Sequence, residues 1–425
     1  MSLTSETALA ELRRDFHRYP EPAWREFYTT SRIVDEIEQI GVDDLYVGRE
    51  VLADGERMGV PDDGELAAWH ERAREAGARE DVLDKTEGGY TGAVAVLERG
   101  EGPTVGLRVD IDALPQREAD DAEHTPAVEG FRSEVEGHMH ACGHDAHATI
   151  GLGVLRQMKT ADFSGTLKVF FQPAEEVVGG GKAMAESGHL DDVDELLACH
   201  VGLDHPTGEV VAGIDGFLAV SHIHAEFTGH PGHAGARPEE GNNAVQAMAS
   251  AVQGLYGIPR HSDGATRVNA GRVEGGTATN IIPESARIEA EVRGETTELK
   301  ESMLDRARDA LEGAATQYGC TVDTELIGDA PSATSDEGLV DLVHEVAGGV
   351  TGVDSRLRRD TLGGSEDATY LMQHVQDQGG RACYVGVGTS HPGGHHTATF
   401  DVEEASIPVG IDTLVGTIER LGAGD

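Results

Sequence analysis

Along the first 215 residues the apolar positions switch between two periodicities, and each switch marks an element. "TSRIVDEIEQIGV" spaces its apolar residues as a helix does and stops at glycine. "GAVAVLERG", "PTVGLRVDIDALP", "GTLKVFFQP" and "ELLACHVG" are short apolar or alternating runs closed by Gly or Pro, which predicts strands. Between them, "ATIGLGVLRQMK" and "GKAMAESGHL" predict crossover helices. Strand–helix alternation of this kind predicts an α/β sheet. The opening "MSLTSETALAELRRDFHRYPEPAWREF" reads as an amphipathic helix, with no apolar signal core.

Two stretches break the pattern. Residues 50–90 carry one helical segment, "GELAAWHERAREAG", flanked by loops, and read as an insertion. From residue 216 to 330 the order becomes strand, helix, strand, strand, helix, strand: "LAVSHIHAEFTG", "NNAVQAMASAVQGLYG", "ATRVNAGRVEGG", "SARIEAEVRG", "TTELKESMLDRARDALEGAATQYG" and "CTVDTELIG". That order predicts a ferredoxin-like α+β domain. After residue 330 the helix–strand alternation returns, with "RACYVGVG" as a buried strand. The expected architecture is therefore an α/β domain with a mixed central sheet, residues 1–215 and 331–425, interrupted by a smaller domain at 216–330.

Size agrees, since 425 residues exceed what one hydrophobic core usually serves. No run of about 18 apolar residues occurs, so no membrane span is expected and a cytoplasmic location follows. Cys142, Cys199, Cys320 and Cys383 show no CxxC spacing and read as reduced thiols. Charge changes the picture more. Asp and Glu number 77 against 33 Lys and Arg, a formal charge of -44. So acidic a surface excludes nucleic acid and anionic membranes as partners. Its self-repulsion is screened only at molar salt, where the Debye length falls to about 3 Å, which points to a salt-adapted, halophilic setting.

Chemistry-bearing residues collect where predicted strands end, the usual place for reactive groups in open α/β sheets. Asp110 and Asp112 close "VGLRVDID", Glu175 and Glu176 follow "KVFFQPA", and His200 ends "LLACH". Cys142, His144, Asp145 and His147 fall in "HMHACGHDAH", and His395 and His396 in "TSHPGGHHTATFD". Thiolate, imidazole and carboxylate together suit zinc, cobalt or manganese. Of two adjacent glutamates, one can bind metal while the other serves as general base. A thiolate–imidazolium nucleophile built on Cys142 and His144 is a second reading. A non-catalytic metal-binding protein is a third.

The succession "RRDFHRYPEPAWREF", "LRVDIDALP", "HACGHDAH", "FQPAEE", "GHPGHAGARPEEGNNAV", "TNIIPESARIEAEVRG", "GSEDATYLM" and "HHTATFD" spans nearly the whole chain. It strongly resembles the metal-dependent amidohydrolases that include aminoacylases and auxin-conjugate hydrolases. The insertion "ERMGVPDDGELAAWHERAREAGA" is similar to that of the branch acting on p-aminobenzoyl-glutamate. The resemblance implies a dinuclear site of two divalent ions, zinc or manganese with cobalt as alternative, held by Cys142, His144, Glu176, His200 and His396. It implies Glu175 as the base, Asp112 as a supporting carboxylate, and Asp145 and His147 as organisers of the turn. His396 is preferred to His395 for its distance from Phe400. The smaller domain would dimerise the chain and supply His233, Asn280 and Arg293 to the substrate's carboxylate and developing oxyanion. The implied reaction is hydrolysis of an N-acyl amino acid, p-aminobenzoyl-glutamate first, by a homodimer or by a heteromer with a related second chain.

The charge reading makes a prediction. The thermal unfolding midpoint should climb steadily from dilute buffer to molar salt, and full stability in dilute buffer would contradict it.

Overall fold

The computed structural model describes residues 6–391 and 393–423. They divide into two compact units, one comprising residues up to Asp215, Ala333–Leu362 and those from Asp367 onward, the other Gly216–Ser332 with Gly363–Glu366.

The larger unit is built on an eight-stranded mixed sheet. Its middle is four mutually parallel strands in the order Thr166–Gln172, Thr104–Asp110, Glu195–Val201, Arg381–Val387. Antiparallel partners flank them, Ala93–Glu98 on one side and Glu209–Val211 on the other. The four central strands are almost wholly buried, which is why they read as near-continuous apolar runs. On one face lie helices Glu6–Arg18, Phe27–Ile40, His144–Met158 and Ser406–Gly422, sharing a core that includes Phe16, Ile37, Leu152, Phe171 and Ile411. Helix Ala368–Asp377 packs against the sheet as well.

Helix His144–Met158 must approach both the sheet and helix Ser406–Gly422 closely, and one glycine permits each contact. A Cβ on Gly151 would stand 2.9 Å from Val109 Cγ2, and one on Gly153 would stand 2.3 Å from Ile411 Cδ1. Because the central strands run parallel, their C-terminal ends and the start of this helix emerge at one edge.

The insertion departs from expectation. Helix Asp63–Ala76 is present, with the Asp62 side chain accepting from Glu65 N–H and a left-handed Gly77 ending it. A second helix, Glu80–Thr86, and a short 3-10 turn, Gly48–Val51, stand where the sequence suggested loop. Val82, Leu83 and Thr86 bury one face of that short helix, so tertiary packing stabilises what seven residues of propensity could not. Conversely, "GKAMAESGHL" is helical only over Gly181–Ala185.

The smaller unit is a four-stranded antiparallel sheet in the order Thr266–Gly275, Ser285–Gly294, Ala219–Thr228, Thr321–Ala330. Helices Ala244–Gly257 and Thr297–Gln317 share one core with it, giving the ferredoxin-like topology. Among the described residues no helix is long and apolar enough to cross a membrane.

Candidate active site

In the larger unit the edge reached by the four parallel strands gathers Asp110, Asp112, Glu175, Glu176, His200 and the loop bearing His395 and His396. The turn before helix His144–Met158 adds Cys142 and His144. Gly143 makes that turn possible. It has φ 89°, and a Cβ there would lie 2.5 Å from Val201 Cγ2.

Among the described residues four overlapping donor sets result, each with its atoms within 4.8 Å of one another: Cys142–His144–His200, Cys142–Glu176–His396, His144–Glu175–Glu176 and, behind them, Asp110–His144–His147. Sharing Cys142, His144 and Glu176 among them suits two cations rather than one. Hydrogen bonds fix which imidazole nitrogens face inward. His200 Nδ1–H donates to Val201 O at 2.7 Å, leaving Nε2 3.5 Å from Cys142 Sγ. His144 Nδ1–H donates to Asp112 Oδ1 at 3.3 Å. His144 Nε2 is buried without a hydrogen-bond partner, 3.8 Å from Glu176 Oε1 and 4.0 Å from Glu175 Oε2. A histidine tied to a carboxylate behind and presenting a bare nitrogen in front is how metal-ligating imidazoles are oriented. The sulfur, nitrogen and oxygen donors therefore fit divalent metal.

The two neighbouring histidines separate. His395 Nε2 accepts from Leu203 N–H at 3.0 Å, so Nδ1 carries the proton and donates to Cys142 Sγ at 3.5 Å. Both its nitrogens are engaged. His396 instead points Nε2 at Glu176 Oε2, 3.4 Å away, from a left-handed backbone with φ 60°. His147 is also committed: Nδ1–H donates to Asp110, and Nε2 accepts from Val201 N–H at 2.8 Å. It braces the strand end beneath His200.

Electrostatics follows from crowding. Burial opposes a charge on His144, but Asp110, Asp112 and Glu176 outweigh it and push the imidazole up to about 10. Burial, then His147 and His395, holds His200 well below the usual imidazole range, so it is a neutral lone-pair donor. Burial would raise Asp110, yet His144, Arg108 and His147 keep its carboxyl well below the ordinary value.

Sequence reasoning missed the groups behind these. Arg108 is fully buried and reaches Asp110 Oδ2 at 2.6 Å, Gln172 Oε1 at 2.8 Å and Asp367 Oδ1 at 3.3 Å. An arginine inside an otherwise apolar strand was the available signal. Asp367 in turn accepts from Gly180 and Gly181 N–H at 3.1 and 2.7 Å. Asp145, expected from the sequence to organise the turn, anchors the helix start through two residues that were not expected, Arg13 (Nε) and His17 (Nδ1), both at 2.7 Å. His17 reaches on to Glu118 at 2.9 Å. Glu26 Oε1 accepts from Ala174 N–H at 2.8 Å. Left-handed non-glycine residues cluster around the site: Ala174, Val178, Leu203, Asp204 and His396. Each costs about 1–3 kcal/mol, and strain of that kind persists only where surrounding structure over-determines it.

The remaining expected residues lie in the smaller unit. His233 is exposed on a two-residue strand paired with Ile281. Its Nδ1 accepts from Gly235 and Ala236 N–H at 3.2 and 3.1 Å, so Nε2 carries the proton and is a donor. Asn280 is exposed, and its carbonyl accepts from Ala234 N–H at 3.0 Å. The Arg293 fork is already engaged by both Glu291 oxygens, at 3.1 and 2.9 Å, and by Ser365 Oγ at 3.1 Å.

The model of peptidase family M20/M25/M40 matches residues 106–420. The chain is 43% identical over 413 residues to a p-aminobenzoyl-glutamate hydrolase chain of Escherichia coli (strain K12), covering 96% of this chain and 94% of that one. It is likewise 43% identical over 413 residues to indole-3-acetyl-aspartic acid hydrolase of Enterobacter agglomerans, with the same coverage. Among solved structures, an aminobenzoyl-glutamate utilization protein from Klebsiella pneumoniae superposes with a TM-score of 0.84 at 37% identity, covering 98% of this chain and 96% of that one.

The buried histidine behind the site carries a pH prediction. Burial and Arg13 work against a charge on His17, but its hydrogen bonds to Asp145 and Glu118 prevail and push it up to about 9. A folded-state value above the ordinary 6.5 stabilises fully below pH 6.5 and is lost as pH rises through about 9. Stability should fall by on the order of 3 kcal/mol across that window, and His17→Gln should flatten the slope in denaturant unfolding.

Proposed function

The chain belongs to peptidase family M20/M25/M40, and on that footing we propose that it cleaves the amide bond of N-acyl amino acids, p-aminobenzoyl-glutamate foremost. It is a hydrolase acting on amide bonds, an amidohydrolase of that family, and this membership sets aside the Cys142 nucleophile and the non-catalytic readings. The observation that carries the proposal is the convergence of Cys142, His144, Glu176, His200 and His396, with Glu175 beside them. The substrate choice is supported by the names of relatives at 43% identity and by the insertion.

Cys142, His144, Glu176, His200 and His396 would hold two divalent cations, zinc or manganese, with cobalt also suited to these donors. When bound, such ions supply Lewis acidity and bring the pKa of water toward neutrality. Asp112 keeps His144 and the two glutamates in register, because its oxygens accept from His144 Nδ1–H and from the Glu175 and Glu176 N–H groups. Glu175 is buried, and its carboxylate takes the proton from the attacking water and returns it to the leaving nitrogen. His233 Nε2–H supplies a donor to the oxyanion, and Asn280 binds the substrate's carboxylate. Arg293 would have to leave Glu291, its neighbour on strand Ser285–Gly294, to join them. The catalytic role of the larger unit and the dimerising role of the smaller belong to the same proposal. So do the homodimeric assembly, the cytoplasmic location and the salt-adapted origin. A heteromer with a related second chain is the other reading, favoured by relatives whose names make them one component of a larger hydrolase.

Glu175→Gln should lower kcat at least about a hundredfold while bound metal is unchanged. His233→Ala should lower kcat by about a hundredfold with bound metal again unchanged. Both are read by release of the free amino acid from a panel of acyl-amino acids in high salt with added Mn or Zn. Retained turnover in Glu175→Gln removes it as the base. No release from any amide in the wild-type protein removes the substrate assignment.

A further inference from the structure

The proposed reaction gives the insertion no part beyond pointing to a substrate class, yet its first segment lies against the loop that carries Glu175 and Glu176. Residues 53–58 run antiparallel beside residues 179–183. Ala53 N–H donates to Ala183 O at 2.8 Å, and Met58 N–H donates to Gly179 O at 3.3 Å. Glu56 pairs with Lys182 at 2.7 Å. The approach is close enough to need glycine, since a Cβ on Gly179 would stand 2.4 Å from Met58 O.

From the other side, the fully buried Trp24 donates its indole N–H to Met58 O at 2.8 Å. Gly179 N–H donates to Ala174 O at 3.0 Å. A continuous chain of peptide hydrogen bonds thus runs from Trp24 through Met58 and Gly179 to the carbonyl immediately before Glu175. The loop it reaches is strained, with Ala174 at φ 57° and Val178 at φ 47°, the latter a β-branched residue that avoids such a backbone. Glu26 and Asp367 hold the same loop through Ala174 N–H and the Gly180 and Gly181 N–H groups. Neither touches its Gly179 carbonyl, which only the insertion secures among the described hydrogen bonds.

We propose that residues 53–58 are a positioning element for the reaction: the insertion braces the left-handed turn that aims Glu175 and Glu176, with Trp24 and Met58 as its positioning residues. The proposal rests on the assignment of those two glutamates as base and metal ligand. Loss of the brace releases the turn toward ordinary backbone conformations and misplaces both carboxylates at once, so it lowers turnover more than substrate affinity. A misplacement of about 1 Å costs up to about a hundredfold in rate.

Two full-length variants test it in the metal-loaded protein. Trp24→Phe keeps the aromatic ring and removes the donor to Met58, and Gly179→Ala drives a methyl into the Met58 carbonyl. Hydrogen exchange is followed at the Val178 and Gly179 amides, beside kcat and KM for p-aminobenzoyl-glutamate. The expected result is exchange roughly tenfold faster at those amides, kcat lower by about tenfold, and KM within about twofold. Unchanged exchange in both variants overturns the proposal, as does faster exchange with undiminished kcat. If Gly179→Ala does not fold, Trp24→Phe decides alone. Faster exchange in a protein whose wild type cleaves no amide upholds the brace and defeats the substrate assignment instead.

Discussion

One carboxylate holds the chemistry of the larger unit in register. Asp112 accepts from His144 Nδ1–H on one oxygen, and from the Glu175 and Glu176 N–H groups on its two oxygens. It therefore joins the turn before helix His144–Met158 to the loop after strand Thr166–Gln172. Were it neutral or absent, His144 would lose the partner that sets its tautomer. Two adjacent glutamates would also lose the backbone anchor that keeps them facing it. Buried polar groups of this kind gain from full satisfaction and are costly when half satisfied.

Behind Asp112 stands a layer of paired charges. Arg108 bridges Asp110 and Asp367, and Arg13 with His17 holds Asp145. Breaking one partner of such a buried pair costs about 3–5 kcal/mol, so these contacts fix positions more than they add net stability. In front stands the opposite situation. His144 Nε2 faces three carboxylates at 3.6–4.0 Å with no hydrogen-bond partner, and the imidazole is pushed up to about 10 in compensation. Cations relieve that crowding better than a single proton does.

Much of this was legible in the sequence. Parallel strands buried on both faces wrote themselves as "GTLKVFFQP" and "ELLACHVG", and strand-end polar residues named Glu175, Glu176 and His200 without a structure. The order of elements in residues 216–330 pointed to the antiparallel four-stranded sheet with two helices. Other features were hidden because they depend on contacts distant in the chain. Helix Glu80–Thr86 forms on tertiary packing rather than propensity. His395 and His396 are adjacent in sequence, where only the distance from Phe400 favours His396; the contacts that separate them, Leu203 N–H on His395 Nε2 and Glu176 facing His396 Nε2, are not visible there. His17 and Asp145 lie 128 residues apart, and no local pattern pairs them.

The central claim is that five side chains, drawn from a strand end, a helix start and the loops beside them, cage a pair of divalent ions. Anomalous diffraction from manganese-loaded crystals tests it most directly. The account predicts two adjacent anomalous peaks, together contacted by Cys142, His144, Glu176, His200 and His396. Peaks elsewhere, or none at these five residues in a folded and fully loaded sample, would contradict it.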